Sequence, residues 1–255
     1  DGLMAFDNSS VYTNYASTLT FAHAVGAGAD RRLWVSVSYS GSGDKVTGVT
    51  YGGVSMTRMD YVQVASLGIV TYVLDAPASG STNVVVSTTG AGTYQCAAIS
   101  ADGASGATAF LSYAGTYKSS PYTQTITAAS GDLIFDVVTA ISDVANIFVP
   151  DAAQTLDDQI TSPYLTVVSH KNASTTGANT MTQTWAGGDQ TSLMSIVFKV
   201  GQSSGGGSHA TGTGALASIT LTAPTGSATG TSSATNGTGT GTLQSIILTA
   251  PAGTA

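Results

Sequence analysis

Apolar and polar residues alternate along most of the first 200 residues, with the two-residue period of a β-strand. The clearest stretch is RLWVSVSYS (32–40). One face of this stretch is apolar and consists of Leu33, Val35, Val37 and Tyr39. The opposite face carries Trp34, Ser36 and Ser38. The alternation predicts a β-strand at this position.

Similar runs, bounded by Gly, Pro, Asn or Ser, follow one another at a spacing of roughly 8–15 residues. They predict strands at 17–25, 32–40, 45–62 (two strands), 67–77, 82–89, 93–101, 122–128, 131–140, 145–149, 164–171, 179–187 and 193–200. Within 45–62, the pair Gly52-Gly53 predicts a tight hairpin turn. The one predicted helix is short and covers 151–160, directly after Pro150. This spacing favours an all-β fold, an antiparallel β-sandwich of the jelly-roll type, over βαβ units.

The pattern changes after Val200. Residues 201–214 have the Gly/Ser-rich composition of a flexible linker. The phrases GALASITLTAPTG, which begins at Gly214, and GTLQSIILTAPAG, which begins at Gly241, then form a repeat. The sequence therefore predicts a β-sandwich domain at 1–200, a linker at 201–214 and a two-copy β repeat at 215–255.

Each repeat contains one short strand that cannot bury an apolar face by itself. Ile219 and Leu221 share one face in the first copy, as do Ile246 and Leu248 in the second. A lone strand does not recover the entropy lost on ordering it, and two copies are few for an autonomous solenoid. We therefore expect these strands to pack on the main domain or on other chains. The candidate oligomerisation or attachment residues are Leu216, Ile219, Leu221, Pro224, Leu243, Ile246, Leu248 and Pro251.

Composition and charge exclude several classes of partner. Charged residues make up 8% of the chain, against about 25% in ordinary soluble proteins, and all 14 acidic residues are Asp. The net charge of −7 argues against nucleic acid, and no apolar run is long enough to predict a membrane helix. The single cysteine, Cys96, cannot form an intrachain disulfide and is predicted to be a small core residue.

Candidate catalytic chemistry is sparse. There is no G-x-S-x-G nucleophile elbow, and the histidines at 23, 170 and 209 lack the spacing of a zinc site. Two carboxylate pairs are the candidates for glycosidase chemistry, Asp132/Asp136 and Asp157/Asp158. Asp132 and Asp136 have the parity of one strand face, although Asp132 is expected in a turn. Asp157 and Asp158 are expected on a solvated loop or helix. The sequence predicts no cofactor, no metal and no enzymatic activity.

Aromatic residues suggest one candidate binding site. Tyr113, Tyr117 and Tyr122 cluster in LSYAGTYKSSPYT, which is predicted to be a loop. Exposed tyrosines of this kind stack on sugars, so these three are candidate glycan-binding residues. The alternative is that they pack over sheet edges or at a subunit contact.

The stretch RRLWVSVSYSGSGDKVTGVTYGGVSMTRMD (31–60) resembles the opening of a β-sandwich module of bacteriophage structural proteins and some bacterial surface proteins. IVTYVLDAPASGSTNVVVS (69–87) is similar to a later strand of that module, and TMTQTWAGGDQTSLMSIVFKV (180–200) to its final hairpin. The repeats resemble Ala-Pro-Gly repeats appended to phage virion proteins. The resemblance covers about residues 6–200, implies a structural role and transfers no catalytic residue.

These observations lead to one expected function and three alternatives. The first hypothesis is a structural protein at the surface of a phage virion, a capsid decoration or head-fibre protein. Its expected partners are further copies of itself, with a trimer as first choice, and other virion proteins such as the major capsid protein; a host-surface glycan is a further candidate. The alternatives are a carbohydrate-binding surface module and an extracellular filament subunit in which a terminal strand completes the next copy. An enzyme ranks last.

Overall fold

The computed structural model describes residues 4–64, 67–104, 108–141, 148–185 and 191–201, with the backbone alone for 109–118, 141, 191, 192 and 194. All elements in these ranges are strands, and no helix occurs among them. The strands are β1 (Ala5–Val25), β2 (Arg32–Ser40), β3 (Val46–Tyr51), β4 (Val54–Ser55), β5 (Thr57–Val64), β6 (Leu67–Asp75), β7 (Gly80–Asp102), β8 (Thr108–Lys118), β9 (Tyr122–Ala128), β10 (Leu133–Ile141), β11 (Val149–Pro150), β12 (Thr155–Ile160), β13 (Leu165–Asn172), β14 (Gly177–Thr184) and β15 (Thr191–Val200).

Three sheets contain these strands. Sheet A has the order β4-β3-β7-β2-β6-β5, and β1 also pairs with β7. Sheet B has the order β12-β13-β10-β15-β8, and sheet C has the order β11-β14-β9. Every strand pair is antiparallel. The predicted all-β, antiparallel class is therefore confirmed.

Strands β1 and β7 form a long ribbon that folds in half. Its register slips where Ala16 faces Gly92 and Thr18 faces Ser87. The part of β1 before this slip faces the part after it, and the rings of Tyr12 and Phe21 stack with centroids 5.3 Å apart. Sheet A therefore becomes a double layer, and the space between its layers is filled by an apolar cluster that includes Leu19, Leu33, Val35, Val37, Tyr39, Val49, Tyr51, Val84, Val86 and Cys96.

Residues 5–102 (the first half) and 108–200 (the second half) repeat one strand arrangement. Five of the six strand pairings in the first half recur in the second. In the second half, β8 and β9 together replace β1, and β14 and β15 together replace β7. The β1–β7 pair recurs in two pieces, β8–β15 and β9–β14. The pairs β2–β6 and β2–β7 correspond to β10–β13 and β10–β15. The pairs β3–β7 and β5–β6 correspond to β11–β14 and β12–β13.

The repetition extends to single residues. A bulge between Arg58 and Asp60 in β5 recurs between Leu156 and Asp158 in β12. In both bulges the aspartate Oδ1 accepts the next backbone N–H, at 2.8 Å in the first half and 2.9 Å in the second. Matched hydrogen bonds also run from Ala76 N to Arg31 O and from Ala173 N to Asp132 O. The two halves thus have the same local backbone geometry.

The two halves pack face to face through β2 and β10. Trp34 and Phe135 occupy equivalent register positions, and their ring centroids lie 5.6 Å apart. Ser38 and Thr139 are likewise equivalent, and the Thr139 hydroxyl donates to Ser38 Oγ at 3.0 Å. Equivalent residues that touch one another indicate an approximate two-fold axis along β2 and β10. Both strands are therefore buried on both faces.

Most local predictions are confirmed. The two faces predicted for 32–40 are those of β2, Cys96 is buried, and Gly52 and Gly53 form the β3–β4 turn with positive φ angles of 56° and 83°. The stretches 82–89 and 93–101 belong to one strand, β7. The helix predicted at 151–160 is wrong, because residues 155–160 pair with β13 as the edge strand of sheet B.

Candidate functional site

The eight predicted oligomerisation residues lie outside the described residues. Leu216, Ile219, Leu221, Pro224, Leu243, Ile246, Leu248 and Pro251 belong to the stretch after residue 201. The linker at 201–214 and the repeat at 215–255 lie there too. Both therefore stay predictions from the sequence.

The tyrosine cluster is not on a loop. Tyr113 and Tyr117 lie within β8, which pairs with β15, and Tyr122 begins β9. Tyr122 is buried, with 7% of its surface exposed, and its hydroxyl lies 2.8 Å from Ser195 Oγ. Tyr122 therefore presents no open ring face to a sugar, while the side chains of Tyr113 and Tyr117 are outside the described part of the chain.

The two carboxylate pairs do not form glycosidase sites. Asp132 accepts the Ala129 backbone N–H at 2.8 Å, in the predicted turn, and forms an ion pair of 3.1 Å with Lys199. Asp136 is instead buried within the second half. The expectation of a solvated site for Asp157 is wrong, because its side chain is 1% exposed and its Oδ1 lies 2.6 Å from His170 Nδ1. Burial raises the pKa of Asp157, against the opposing effect of its hydrogen bond with His170.

Asp136 belongs to a buried polar cluster between sheets B and C. Gln183 Nε2 donates to Asp136 Oδ2 at 3.0 Å and also lies 3.1 Å from Ser169 Oγ. Asp136 Oδ1 and Gln183 Oε1 are both buried acceptors without a donor. Burial raises the pKa of Asp136 to about 7, opposed by the Gln183 hydrogen bond, because the protonated side chain avoids a buried charge.

The first half shows that the fold does not require this carboxyl group. Val35 faces Tyr72 and Ala98 in β6 and β7, while Asp136 faces Ser169 and Val197 in β13 and β15. These are equivalent positions of the repeated arrangement. A valine fills the site in one half and a buried acid in the other, so the acid is a property of the second half alone.

His23 is part of a hydrogen-bond chain that links the two layers of the β1–β7 ribbon. Its Nδ1 lies 2.9 Å from Ser10 Oγ, and its Nε2 lies 3.1 Å from Ser100 Oγ. The Ser100 hydroxyl donates to Asp7 Oδ2 at 2.7 Å, so Nε2 donates to Ser100 and Nδ1 accepts from Ser10. In enzymes with a serine nucleophile, a neighbouring histidine acts as the general base that activates the serine hydroxyl. Burial, however, lowers the pKa of His23 to about 4 against the opposing charge of Asp7, which makes it a weak base.

The position of His23 predicts acid sensitivity. Its folded pKa of about 4 lies below the unfolded value of 6.5, so the unfolded chain binds the proton first. Its contribution to stability is therefore complete above pH 6.5 and is lost as the pH falls through 4, by roughly 3 kcal/mol in all. Urea titrations across this range should show the stability difference between the native protein and His23→Gln changing by this amount, while Ser10→Ala keeps the pH profile of the native protein. Equal pH profiles for Ser10→Ala and His23→Gln would contradict this role.

A groove of about 610 Å³ lies on the first half, beside β3 (the β3 groove). β4 pairs with Thr50 and Tyr51, and Met56 N donates to Val49 O at 2.9 Å, so among the described residues only Val46–Gly48 has no chain segment paired on its outer side. The wall and floor of the groove include Val46, Val49, Met56 and Tyr72. Tyr72 donates its hydroxyl to Val46 O at 3.3 Å, which ties β6 to the inner end of the groove.

The charge in the β3 groove is balanced. Arg58 Nη1 lies 2.5 Å from Asp44 Oδ2, and the Arg58 guanidinium lies 5.1 Å from the centre of the Tyr61 ring. Two apolar side chains on the bordering strands are open to solvent: Val54 is 57% exposed and Met59 is 39% exposed. The apolar residues that line the groove are themselves buried, between 2% and 7% exposed, so the groove offers little apolar surface.

Comparisons with known proteins give no relative for this chain. A scan against protein-family models, a search of curated proteins and a search of solved structures each find no match. Within the described ranges there is no helix long and apolar enough to cross a membrane. The same ranges contain no group of three or more His, Cys, Asp or Glu side chains placed to hold a metal ion.

Sequence reasoning missed the groove and both polar networks. The pairing of His23 with Ser10 depends on the fold in β1, which brings together residues 13 positions apart on one strand. A single polar residue inside an apolar run, as in LIFDVVTA (133–140), is the one signal that marked Asp136. The β3 groove has no such signal, because it results from where β4 ends.

Proposed function

We propose that this chain is a non-enzymatic structural protein of a phage virion, a capsid decoration or head-fibre protein. It has a β-sandwich body of the jelly-roll type and assembles through intermolecular packing of β-strands. The observation that carries the proposal is the composition of residues 201–255, which contain no Asp, Glu, Lys or Arg and include two apolar strand segments. Such segments are stable only when a partner covers them.

The chemistry of the body supports a structural role. The buried ionisable groups hydrogen-bond within the body: Asp7, Ser100 and His23 form one chain, and Asp136 and Gln183 form another pair. Such internal pairing stabilises a rigid unit for display on a surface. The phage assignment rests on the resemblance of residues 31–60 and 69–87 to virion modules.

Removal of residues 201–255 tests the proposal. We expect the native chain to form a homo-oligomer and the truncated chain to be a folded monomer by multi-angle light scattering. A full-length control with Ile219, Leu221, Ile246 and Leu248 all replaced by Ser should also be monomeric, because it keeps the length but loses the apolar faces. An oligomer that survives both changes would remove the attachment role of the repeats.

A filament subunit is the second candidate, and the two short apolar segments within residues 215–255 favour it. In such a filament, a terminal strand of one subunit completes the next copy. Electron microscopy of the native assembly separates the two candidates, since a filament gives helical polymers and a decoration protein gives knobs on particles. For the glycan alternative, binding on a glycan array that is unchanged in Tyr113→Ala and Tyr117→Ala would exclude those two residues as the site.

A further inference from the structure

The surface that the β3 groove presents to solvent is hydrophilic. The lining residues that are exposed or half-exposed are all polar or glycine, and four of the six carry a hydroxyl group: Thr47, Gly48, Thr50, Ser55, Arg58 and Ser87. A hydroxyl can donate one hydrogen bond and accept two. The open side of the groove therefore offers many hydrogen-bonding groups and little apolar surface.

Gly48 leaves a gap in the middle of this surface. A Cβ atom built on Gly48 meets nothing within 4 Å. The register of β3 slips between Val46 and Gly48, which places this glycine at an irregular point of the strand. A glycine inside a strand is common where a ligand or another backbone approaches the main chain closely. A ligand in the groove can therefore reach the backbone at Gly48.

Arg58 and Asp44 form a fixed pair of charges at the groove. Their side chains are 42% and 27% exposed, so both remain accessible to a ligand. Asp44 Oδ1 accepts the Val46 N–H at 3.1 Å, and the Arg58 guanidinium lies over the ring of Tyr61. A guanidinium has five N–H donors and a carboxylate has about four acceptor sites, so the pair still has hydrogen-bonding capacity. Groups that are ordered in advance cost little entropy when a ligand binds.

The second half lacks these features at the equivalent positions. Val149 stands where the first half has Gly48, and Leu156 stands at the bulge position of Arg58. Both are apolar, with exposures of 54% and 42%. The fold therefore accepts a valine and a leucine at these positions, and the hydrophilic site belongs to the first half alone.

We propose that the β3 groove binds a neutral oligosaccharide. The sugar hydroxyls exchange hydrogen bonds with the Thr and Ser hydroxyls and with the Arg58–Asp44 pair, and the ligand lies against the backbone at Gly48. The volume of about 610 Å³ is within the range of about 300–1,000 Å³ for small-ligand sites. An apolar ligand would leave the polar groups without partners, and an anionic ligand would face Asp44 on a chain of net charge −7.

This site is independent of the proposed function, because it lies in the body and uses no residue of 201–255. It also differs from the candidate site at Tyr113 and Tyr117 in β8. A virion protein with this site could assemble through its repeats and contact a host-surface glycan through the β3 groove.

Glycan binding by the full-length chain tests the proposal. On an array of neutral and sialylated oligosaccharides we expect binding to neutral glycans, and titration calorimetry with the neutral glycan bound most strongly gives the Kd. Gly48→Val and Arg58→Leu introduce the residues that the second half carries, and each should raise the Kd about tenfold. Gly90→Val is the matched control, because a Cβ atom at Gly90 also meets nothing within 4 Å and Gly90 does not line the groove. It should keep the native Kd, and circular dichroism checks that all variants are folded.

Three results would overturn the proposal. The first is binding to no neutral glycan, or binding that Gly48→Val and Arg58→Leu leave unchanged while Tyr113→Ala with Tyr117→Ala abolishes it. The second is a preference for sialylated glycans, with a Kd that rises as the ionic strength increases from about 0.1 M to about 1 M. The third is an equal loss in Gly90→Val. Removal of 201–255 should leave the Kd in solution unchanged, so a failure of the proposed function and a failure of this site are separate results.

Discussion

Replacement of Trp34 by Ala is expected to lower the free energy of unfolding by about 3–5 kcal/mol, the range for large aromatic side chains removed from a core. Trp34 is fully buried at the contact between the two halves. Its ring centroid lies 5.6 Å from that of Phe135 and 5.4 Å from that of Phe198, both in the second half. The indole Nε1 has no hydrogen-bond partner, so the substitution removes packing and no polar contact.

The measurement is urea unfolding followed by far-ultraviolet circular dichroism, which reports the backbone and does not depend on the tryptophan signal. Because folded domains are stable by about 5–15 kcal/mol, a change of this size is a large part of the total. Leu33→Ala is the control, since Leu33 is also fully buried in β2 but faces the cluster within the first half. We expect Trp34→Ala, and not Leu33→Ala, to separate the unfolding of the two halves into two transitions. A single sharp transition in both variants would contradict the view that β2 and β10 couple the halves.

Strand positions could be predicted from the sequence where side-chain alternation was strong. The two faces of β2 follow from the alternation of residues 32–40, and its serine face is buried because the second half covers it. The prediction failed at β12, where DAAQTLDDQI has alanines and a preceding proline that favour a helix start. Pairing with β13 overrides that weak local preference, and Asp157 is directed inward to His170.

The repeated arrangement of the two halves could not be predicted from residue identity. Equivalent positions hold different residues, such as Trp34 and Phe135, or Val35 and Asp136. What the halves share is the order of pairings, the bulge at Asp60 and Asp158, and the positive φ angles of Gly80 and Gly177. These are backbone properties that many sequences satisfy, because a pleated, buried strand accepts any side chain of suitable size. The β3 groove could not be predicted from the sequence for the same reason, because its position depends on where β4 ends.

Asp136→Asn is expected to remove a pH dependence of stability that acts in the opposite direction to that of His23. The pKa of Asp136 is raised by burial from 3.8 in the unfolded chain to about 7. Between these values the folded protein holds a proton that the unfolded chain has lost, so the contribution of Asp136 to stability falls as the pH rises from about 4 to 7 and then levels off. The fall attributable to this group is about 4 kcal/mol.

Asparagine reproduces the protonated acid at this position. Its amide oxygen can accept from Gln183 Nε2 as Asp136 Oδ2 does, and the side chain is uncharged at every pH. Urea titrations should therefore show Asp136→Asn gaining about 4 kcal/mol relative to the native protein between pH 4 and pH 8. If the difference between Asp136→Asn and the native protein is constant with pH, Asp136 is ionised in the folded state across this range, and its pKa is not raised.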